Sequence, residues 1–293
     1  MSRQELALAG ITAIWGTTFL VVHLAMEYSG PFFFVGIRFL VAALVSWVVF
    51  RPHLRSLTRG EALAGLSIGV TLTMGYGLQT LGLVSIDSSV SAFFTTFYVP
   101  LMPLLQWLVL RMPPRPMTWI GIALAFVGLV FLAGPTPAGF TLGAGEAVTL
   151  VATLAFAAQI ILISYFAPHV DLGRVTVVEL LVGGLLSLAL MPATGESTPA
   201  FHWVWVVTAV GLGVATTAIQ GVMNWAQQVI PPTRATIIYT GEPVWAAVVG
   251  WLAGERLAWT AFVGAAFIVG GILISEAPTP RRWPAPSGPP RAR

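Results

Sequence analysis

The chain has 293 residues, of which 57% are hydrophobic and 9% charged, whereas about 25% of a soluble domain is charged. Its formal charge of +3 at pH 7 comes from scattered arginines without a basic stripe, which argues against a nucleic-acid partner. It contains no cysteine, which excludes disulfides, thiol catalysis and cysteine-ligated metals. This composition predicts an integral membrane protein.

Ten apolar runs of membrane-spanning length follow one another along the chain. The first five lie at about residues 6–26, 33–50, 62–81, 90–110 and 117–134. The second five lie at about 145–166, 175–191, 203–230, 235–252 and 257–275. We predict an all-α protein with ten transmembrane helices, the first retained because no cleavage site follows it. Residues 277–293, rich in proline and arginine, are predicted to form a disordered cytoplasmic tail.

The arginines indicate how these helices cross the membrane. If the N-terminus is inside, twelve of the 14 basic residues lie in inner segments, Arg256 lies outside and Arg38 lies within the second run. Short cytoplasmic loops retain positive charge, so both termini are predicted to be cytoplasmic. No extramembrane segment is long enough to hold a separate active site.

The two halves of the chain resemble each other. Because each half has five helices, an odd number, the second copy enters the membrane from the opposite side, as in many secondary transporters. We predict two inverted five-helix repeats, residues 1–134 and 135–276, around a central cavity. The alternative is that helix packing alone makes apolar segments look alike, above all at glycines. An offset of 143 places Pro100 on Pro243, Gly121 on Gly264 and Gly128 on Gly271, and an offset of 141 places Glu5 on Glu146, Trp15 on Phe156 and Thr18 on Gln159.

Polar and aromatic side chains recur at helical spacing inside several runs, where contact with lipid would be costly. The eighth run alone carries four amide or hydroxyl side chains between Thr217 and Gln227. We predict that the first, third, fourth, sixth, eighth and ninth runs enclose the cavity. For each residue the alternative is an interhelical hydrogen bond or a ring that fills core space. The candidate substrate-binding residues are Trp15, Thr18, Tyr76, Thr80, Tyr98, Phe156, Gln159, Gln220, Asn224, Tyr239 and Glu242.

Two prolines lie at equivalent depth in the fourth and ninth runs. A proline inside a helix removes a backbone hydrogen bond and bends the axis, so Pro100 and Pro243 are predicted hinges. Glu242 precedes Pro243 at a depth of about 12 Å, where an ionisable side chain is costly. Either this carboxylate takes up a proton or holds an amine, or it bonds hydroxyls and fixes the bend. Arg38 and Glu179, at equivalent positions in supporting helices, are predicted to be structural.

Motifs of enzymes and metal proteins find little support. Residues 65–69 read G-L-S-I-G, a hydrolase pattern, but they lie inside an apolar run and also form the G-x-x-x-G of close helix packing. The four histidines are isolated and no phosphate-binding glycine loop is present, so we expect neither a metal site nor an ATP-driven mechanism. The protein is predicted not to be an enzyme and to have no cofactor.

Several stretches resemble the EamA family of the drug/metabolite transporter superfamily. They read I-W-G-T-T-F at 14–19, F-V-G-I-R-F at 34–39, G-E-P-V at 241–244 and G-E-R-L at 254–257. The resemblance covers nearly the whole chain and implies ten helices in two repeats. T-T-F-Y-V-P-L at 95–101 and the aromatic-rich face look most like bacterial inner-membrane exporters of aromatic amino acids, the YddG type. The first half has Arg111 where the second half has the glutamate turn, so that turn occurs once.

The expected function is therefore export of small metabolites by alternating access, with aromatic or hydrophobic amino acids as cargo. The chain contains no lysine, so a phosphate ester, which needs a cation in a low dielectric, is not expected. The alternative is export of a lipophilic cation or drug, with Glu242 binding the cation or coupling a proton. The expected partners are the substrate and the lipid bilayer, without an obligate protein partner.

Overall fold

The computed structural model describes residues 2–51, 56–86, 88–133, 143–252 and 259–276. All regular secondary structure in these ranges is helical. Two short 3₁₀ helices, Ala167–His169 and Met191–Thr194, extend α7 and α8. The α-helices are α1 Arg3–Met26, α2 Pro31–Phe50, α3 Arg59–Leu83, α4 Ser88–Thr95, α5 Tyr98–Leu110, α6 Pro116–Ala133, α7 Ala144–Phe166, α8 Leu172–Leu190, α9 Trp203–Ala226, α10 Pro232–Tyr239, α11 Gly241–Leu252 and α12 Trp259–Glu276.

The helix starts follow from their sequences. Ser2 and Thr58 each begin a capping box, with Glu5 and Glu61 three residues on. In each box the hydroxyl accepts a hydrogen bond from the glutamate N–H, and the glutamate carboxylate accepts one from the N–H of the serine or threonine. Pro232 occupies the first position of α10, where a missing N–H costs nothing. The predicted boundaries of the first three runs are therefore reproduced within a few residues.

The described helices present an apolar surface, and many polar side chains are buried among apolar ones in the interior, unlike in a soluble fold. Leu108 is 78% and Leu252 74% exposed, whereas Thr73, Thr216 and Gln220 are fully buried. Hydrocarbon is the solvent that suits such a surface, because polar groups are then satisfied within the bundle. Five described helices are long and apolar enough to span a membrane: α1, α2, α7 with its 3₁₀ extension, α8 with its extension, and α9. The chain is a multi-pass membrane protein.

The helices pack in a central block and a peripheral pair. In the block, α2 and α3 contact α8, α3 contacts α7, α2 contacts α9, and α1 lies against α9 and α11. Gly65 and Gly69 fit against Val178 and Glu179 of α8, so residues 65–69 serve helix packing, as predicted. The peripheral pair, α6 and α12, is also closely packed.

The fourth and ninth predicted runs are each broken into two helices. α4 ends at Thr95 and α5 begins at Tyr98, while α10 ends at Tyr239 and α11 begins at Gly241. Threonines lie at both breaks: the Thr95 hydroxyl donates to the Ser91 carbonyl at 2.8 Å, and the Thr240 hydroxyl to the Ile237 carbonyl at 2.6 Å.

The expectation that Pro100 and Pro243 bend continuous helices is thereby corrected. Each is the third residue of the second helix, α5 or α11. N–H groups in a first turn have no partner within the helix, so a proline there removes no hydrogen bond. The break precedes the proline, and the proline begins the next segment. The proline that lies inside a helix is Pro103, in α5.

Candidate functional site

A cavity lies where both broken runs meet α1, α3, α7 and α9. It encloses about 450 Å³ of empty space, a figure that includes its opening. The residues that line it are Trp15, Thr18, Phe19, Tyr76, Gln79, Thr95, Tyr98, Phe156, Gln159, Ile160, Met223, Tyr239 and Glu242.

The structure brings eight of the eleven candidate substrate-binding residues to this cavity. They are Trp15, Thr18, Tyr76, Tyr98, Phe156, Gln159, Tyr239 and Glu242. Thr80, Gln220 and Asn224 are buried but do not line it. Sequence reasoning left out Phe19, Gln79, Ile160 and Met223, and it placed Thr95 beside Tyr98 on the fourth run without making it a candidate. Helical spacing could have indicated Gln79, three residues from a candidate tyrosine, whereas the three apolar side chains carry no such signal.

Aromatic rings form most of the wall and hold one another in place. Trp15 meets Tyr239 edge to face, with ring centroids 5.1 Å apart, and Tyr76 meets Phe156 in the same way at 5.1 Å. Trp15 Nε1 donates to the Tyr76 hydroxyl at 3.1 Å. Trp15 of α1 therefore contacts both Tyr76 of α3 and Tyr239 of α10. Such edge-to-face contacts fix ring orientation and leave ring faces available to a ligand.

The amide side chains of the cavity wall already make hydrogen bonds to other side chains of the protein. Gln79 Nε2 donates to the Thr95 hydroxyl at 2.9 Å, and Gln159 Nε2 donates to Gln220 Oε1 at 3.3 Å. Behind Tyr239, Gln227 Nε2 donates to its hydroxyl at 3.1 Å. Gln220 therefore orients Gln159 from behind, which explains a polar residue on α9 that does not reach the cavity.

Glu242 supplies the carboxylate of the cavity wall. It is 7% exposed and occupies the first turn of α11. Within the described residues it has no hydrogen bond or ion pair, and no arginine lines the cavity. A carboxylate without a partner in a low-dielectric site is an anion that a cationic group would stabilise.

Arg38 and Glu179 lie outside the cavity lining. They contact opposite ends of one row of polar side chains on α9. Arg38 Nε donates to the Thr216 hydroxyl at 2.8 Å, and its guanidinium carbon lies 5.1 Å from the centroid of the Tyr76 ring. Glu179 Oε1 accepts from Asn224 Nδ2 at 2.9 Å. Asn224, predicted to bind substrate, instead serves Glu179, and Arg38 supports Tyr76 from behind.

No group of three or more histidine, aspartate or glutamate side chains within the described ranges could hold a metal ion. The described lining offers ring faces, hydroxyls, amides and one carboxylate. Such a surface binds and orients a small molecule with an apolar body.

Known proteins resemble this chain along most of its length. An uncharacterized transporter of Archaeoglobus fulgidus is 30% identical over 245 residues, which are 83% of this chain and 75% of that protein. The uncharacterized inner membrane transporter YedA of Escherichia coli is 27% identical over 279 residues, 92% of this chain and 89% of YedA. The uncharacterized transporter YoaV of Bacillus subtilis is 23% identical over 292 residues, with 96% and 99% covered.

A solved crystal structure shares the fold, with a TM-score of 0.76 at 16% identity over 94% of this chain and 98% of that one. The model of the EamA-like transporter family matches twice, at residues 3–134 and 143–276. The chain therefore belongs to the EamA-like transporter family.

Proposed function

We propose that this protein exports small metabolites across a bacterial inner membrane by alternating access between two inverted repeats, residues 1–134 and 135–276. The two separate matches to one family model, 3–134 and 143–276, support this division. The arginine bias supports a cytoplasmic location for both termini, and the proposed cytoplasmic tail, 277–293, lies outside the described residues.

Helix contacts support the repeat. Each helix of the first half has a counterpart six numbers later. Under this exchange the contact of α3 with α7 becomes that of α9 with α1, and the contact of α3 with α8 becomes that of α9 with α2. The pairs α2–α8 and α6–α12 exchange with themselves. This pairing supports alternating access, because exchanging the roles of the two halves would give a second packing of the same elements.

The glycines of the peripheral pair obey the same exchange. A Cβ on Gly128 would lie 2.6 Å from the Gly264 carbonyl oxygen, and one on Gly271 would lie 2.6 Å from that of Gly121. The repeat converts one of these contacts into the other, because Gly121 corresponds to Gly264 and Gly128 to Gly271. The breaks before Pro100 and Pro243 are the proposed hinges, because the ends of two short helices can absorb the change in backbone angles when either half of the run tilts.

For the cargo we propose aromatic or hydrophobic amino acids. The observation that carries this is the wall of six tyrosine, tryptophan and phenylalanine rings around one unpaired carboxylate, Glu242. The rings would contact an apolar side chain, and Glu242 would bind the amino group through a charge-assisted hydrogen bond.

One observation favours a second candidate, an exporter of lipophilic cations. The α-carboxylate of an amino acid needs donors, and the amides of Gln79 and Gln159 each already use one of their two N–H donors, toward Thr95 and Gln220. A cargo with an amine and no carboxylate would use Glu242 without needing those donors.

Three indole compounds separate these candidates. The purified protein is reconstituted in liposomes and tested with tryptophan, with tryptamine, which lacks the carboxylate, and with indole-3-propionate, which lacks the amine. Saturable tryptophan transport is expected if amino acids are the cargo, and faster tryptamine transport if cations are. Saturable transport of indole-3-propionate alone would contradict a role for Glu242, and inertness toward all three compounds would contradict both candidates.

Glu242→Gln should weaken transport of the amine-bearing compounds about tenfold, the typical loss for one hydrogen bond to a charged group. Glu146→Gln removes the same charge outside the cavity and is the matched control. Equal transport by the two variants would show that Glu242 does not bind the amine.

A further inference from the structure

A polar cluster lies away from the cavity, where α10 begins. We name it the α10 latch and define it by Glu5, Gln106, Thr233 and Arg234. Arg234 Nη2 is 2.5 Å from Glu5 Oε1, and the Glu5 side chain is 5% exposed. The Thr233 N–H donates to Gln106 Oε1 at 3.0 Å. The first turn of α10, in the second half of the chain, is thereby tied to α1 and α5 in the first half.

Both first-half partners are oriented before they meet α10. The other Glu5 oxygen accepts from the Ser2 N–H at 2.5 Å in the capping box. Gln106 Nε2 donates to the Met112 carbonyl at 3.0 Å. Since these bonds hold the two acceptors in place, closing the latch orders little more than the start of α10.

The chain is closely packed between the latch and the cavity. Leu8, Thr236 and Ile237 are fully buried, and beyond them Tyr239 meets Trp15 edge to face. Both rings line the cavity, which extends along α1 to Thr18 and Phe19. Buried side chains therefore separate the cavity from the latch in this conformation.

The equivalent positions at the other end of the molecule hold no such latch. An offset of 141 places Glu5 on Glu146, and an offset of 143 places Arg234 on Ser91. The Ser91 hydroxyl is buried without a hydrogen-bond partner among the described residues. Gln106 corresponds to Val249, which can make no such bond. The two ends match in helix arrangement and differ in charge.

From this difference we infer that the α10 latch biases the transport cycle. The pair Glu5–Arg234 stabilises the conformation closed at the latch end, whereas its repeat equivalents, Glu146 and Ser91, cannot form an ion pair with each other. This inference rests on the proposed alternating access, because a latch matters only if a second conformation exists. By the arginine distribution the latch end is cytoplasmic.

Cysteine labelling tests the latch without interference, because the native chain has no cysteine. Thr236→Cys places a thiol one turn deeper than Thr233, and a membrane-impermeant maleimide is applied from the latch end of inside-out vesicles. Adding Glu5→Gln, which keeps the capping box, or Arg234→Gln should raise the labelling rate about fivefold. A second reporter, Thr18→Cys, should lose labelling from the opposite face to a similar extent.

Two further variants control for charge and for folding. Arg59→Gln removes a positive charge at the same end without touching the latch, and should leave the labelling rate at its parent value. The exchange Glu5→Arg with Arg234→Glu restores an ion pair and should restore slow labelling. Parent-rate labelling in Arg234→Gln, or fast labelling in the exchanged pair, would overturn the inference.

The transport assay separates this inference from the proposed cargo. Fast labelling of the latch variants in a protein that carries none of the three indole compounds would support the latch and refute the cargo. Transport of tryptophan or tryptamine with labelling at the parent rate in every latch variant would support the cargo and refute the latch.

Discussion

Glu61 and Arg174 join the start of α3 to the start of α8 through an ion pair, with Arg174 Nη1 3.0 Å from Glu61 Oε1. Glu61 lies in the first turn of α3, before the apolar run that begins at Ala62. Burial alone would raise the pKa of its carboxyl. Hydrogen bonds from the Thr58 backbone and hydroxyl, the Asp171 N–H and Arg174 outweigh burial and lower the pKa from 4.5 to about 2.

This lowered pKa predicts a loss of stability in acid. A carboxyl with a lower pKa in the folded state contributes stability that is fully present above its unfolded pKa. That contribution is lost as the pH falls from about 4.5 toward 2. We expect the unfolding temperature in detergent to fall more steeply over this range in the native protein than in Glu61→Gln. Glu27→Gln, in the exposed turn after α1, should keep the native slope, and identical slopes in all three proteins would contradict the assignment.

Single residues differed in how far the sequence could place them. Tyr76, Tyr98 and Glu242 were identified because polar atoms at membrane depth are costly and must face a cavity or a partner. The same reasoning could not tell cavity from partner for Gln220 and Asn224. That choice depends on which side chain stands opposite, Gln159 and Glu179 here, and a single helix does not carry this information.

At the scale of the helix pair, the α6–α12 contact depends on the absence of side chains. Gly271 packs against the Gly121 carbonyl, while a Cβ on the neighbouring Gly270 would meet nothing within 4 Å. Gly271→Ala should therefore destabilise the protein by about 1–3 kcal/mol, the usual cost of overpacking. Gly270→Ala should be neutral or slightly stabilising, because alanine favours the helix. Thermal unfolding in detergent measures both, and equal unfolding temperatures would refute the close contact.

The broken runs show where element boundaries escape the sequence. A proline within an apolar run predicts a disturbance, and both disturbances were found. Each disturbance is a break and not a bend. The backbone can end one helix and begin another with the proline in the first turn, and no helical hydrogen bond is then lost. The hydroxyls of Thr95 and Thr240 donate hydrogen bonds to nearby backbone carbonyls at the breaks. The preference of threonine for such bonds is weak, so it does not by itself predict where a helix ends.

For the whole molecule, the arginine bias predicts which loops face the cytoplasm. A single cysteine at Ser56, in the segment before α3, should be protected from an impermeant maleimide in intact cells. Single cysteines at Glu27 and Ser197 should be labelled. The result follows because loops rich in arginine are retained inside. Labelling of Ser56→Cys alone would invert the proposed topology and move the α10 latch to the outer face.

The sequence by itself determined the class of this protein, its pattern of apolar runs and most of the aromatic cavity wall. Composition and helical periodicity are local properties, and hydrocarbon penalises polar groups strongly enough that their positions are informative. Tertiary structure decided what faces what: that Gln220 supports Gln159, that Asn224 serves Glu179, and that Glu5 reaches Arg234 across the two halves. These contacts join residues far apart in the chain, and only the packing of twelve helices brings them together.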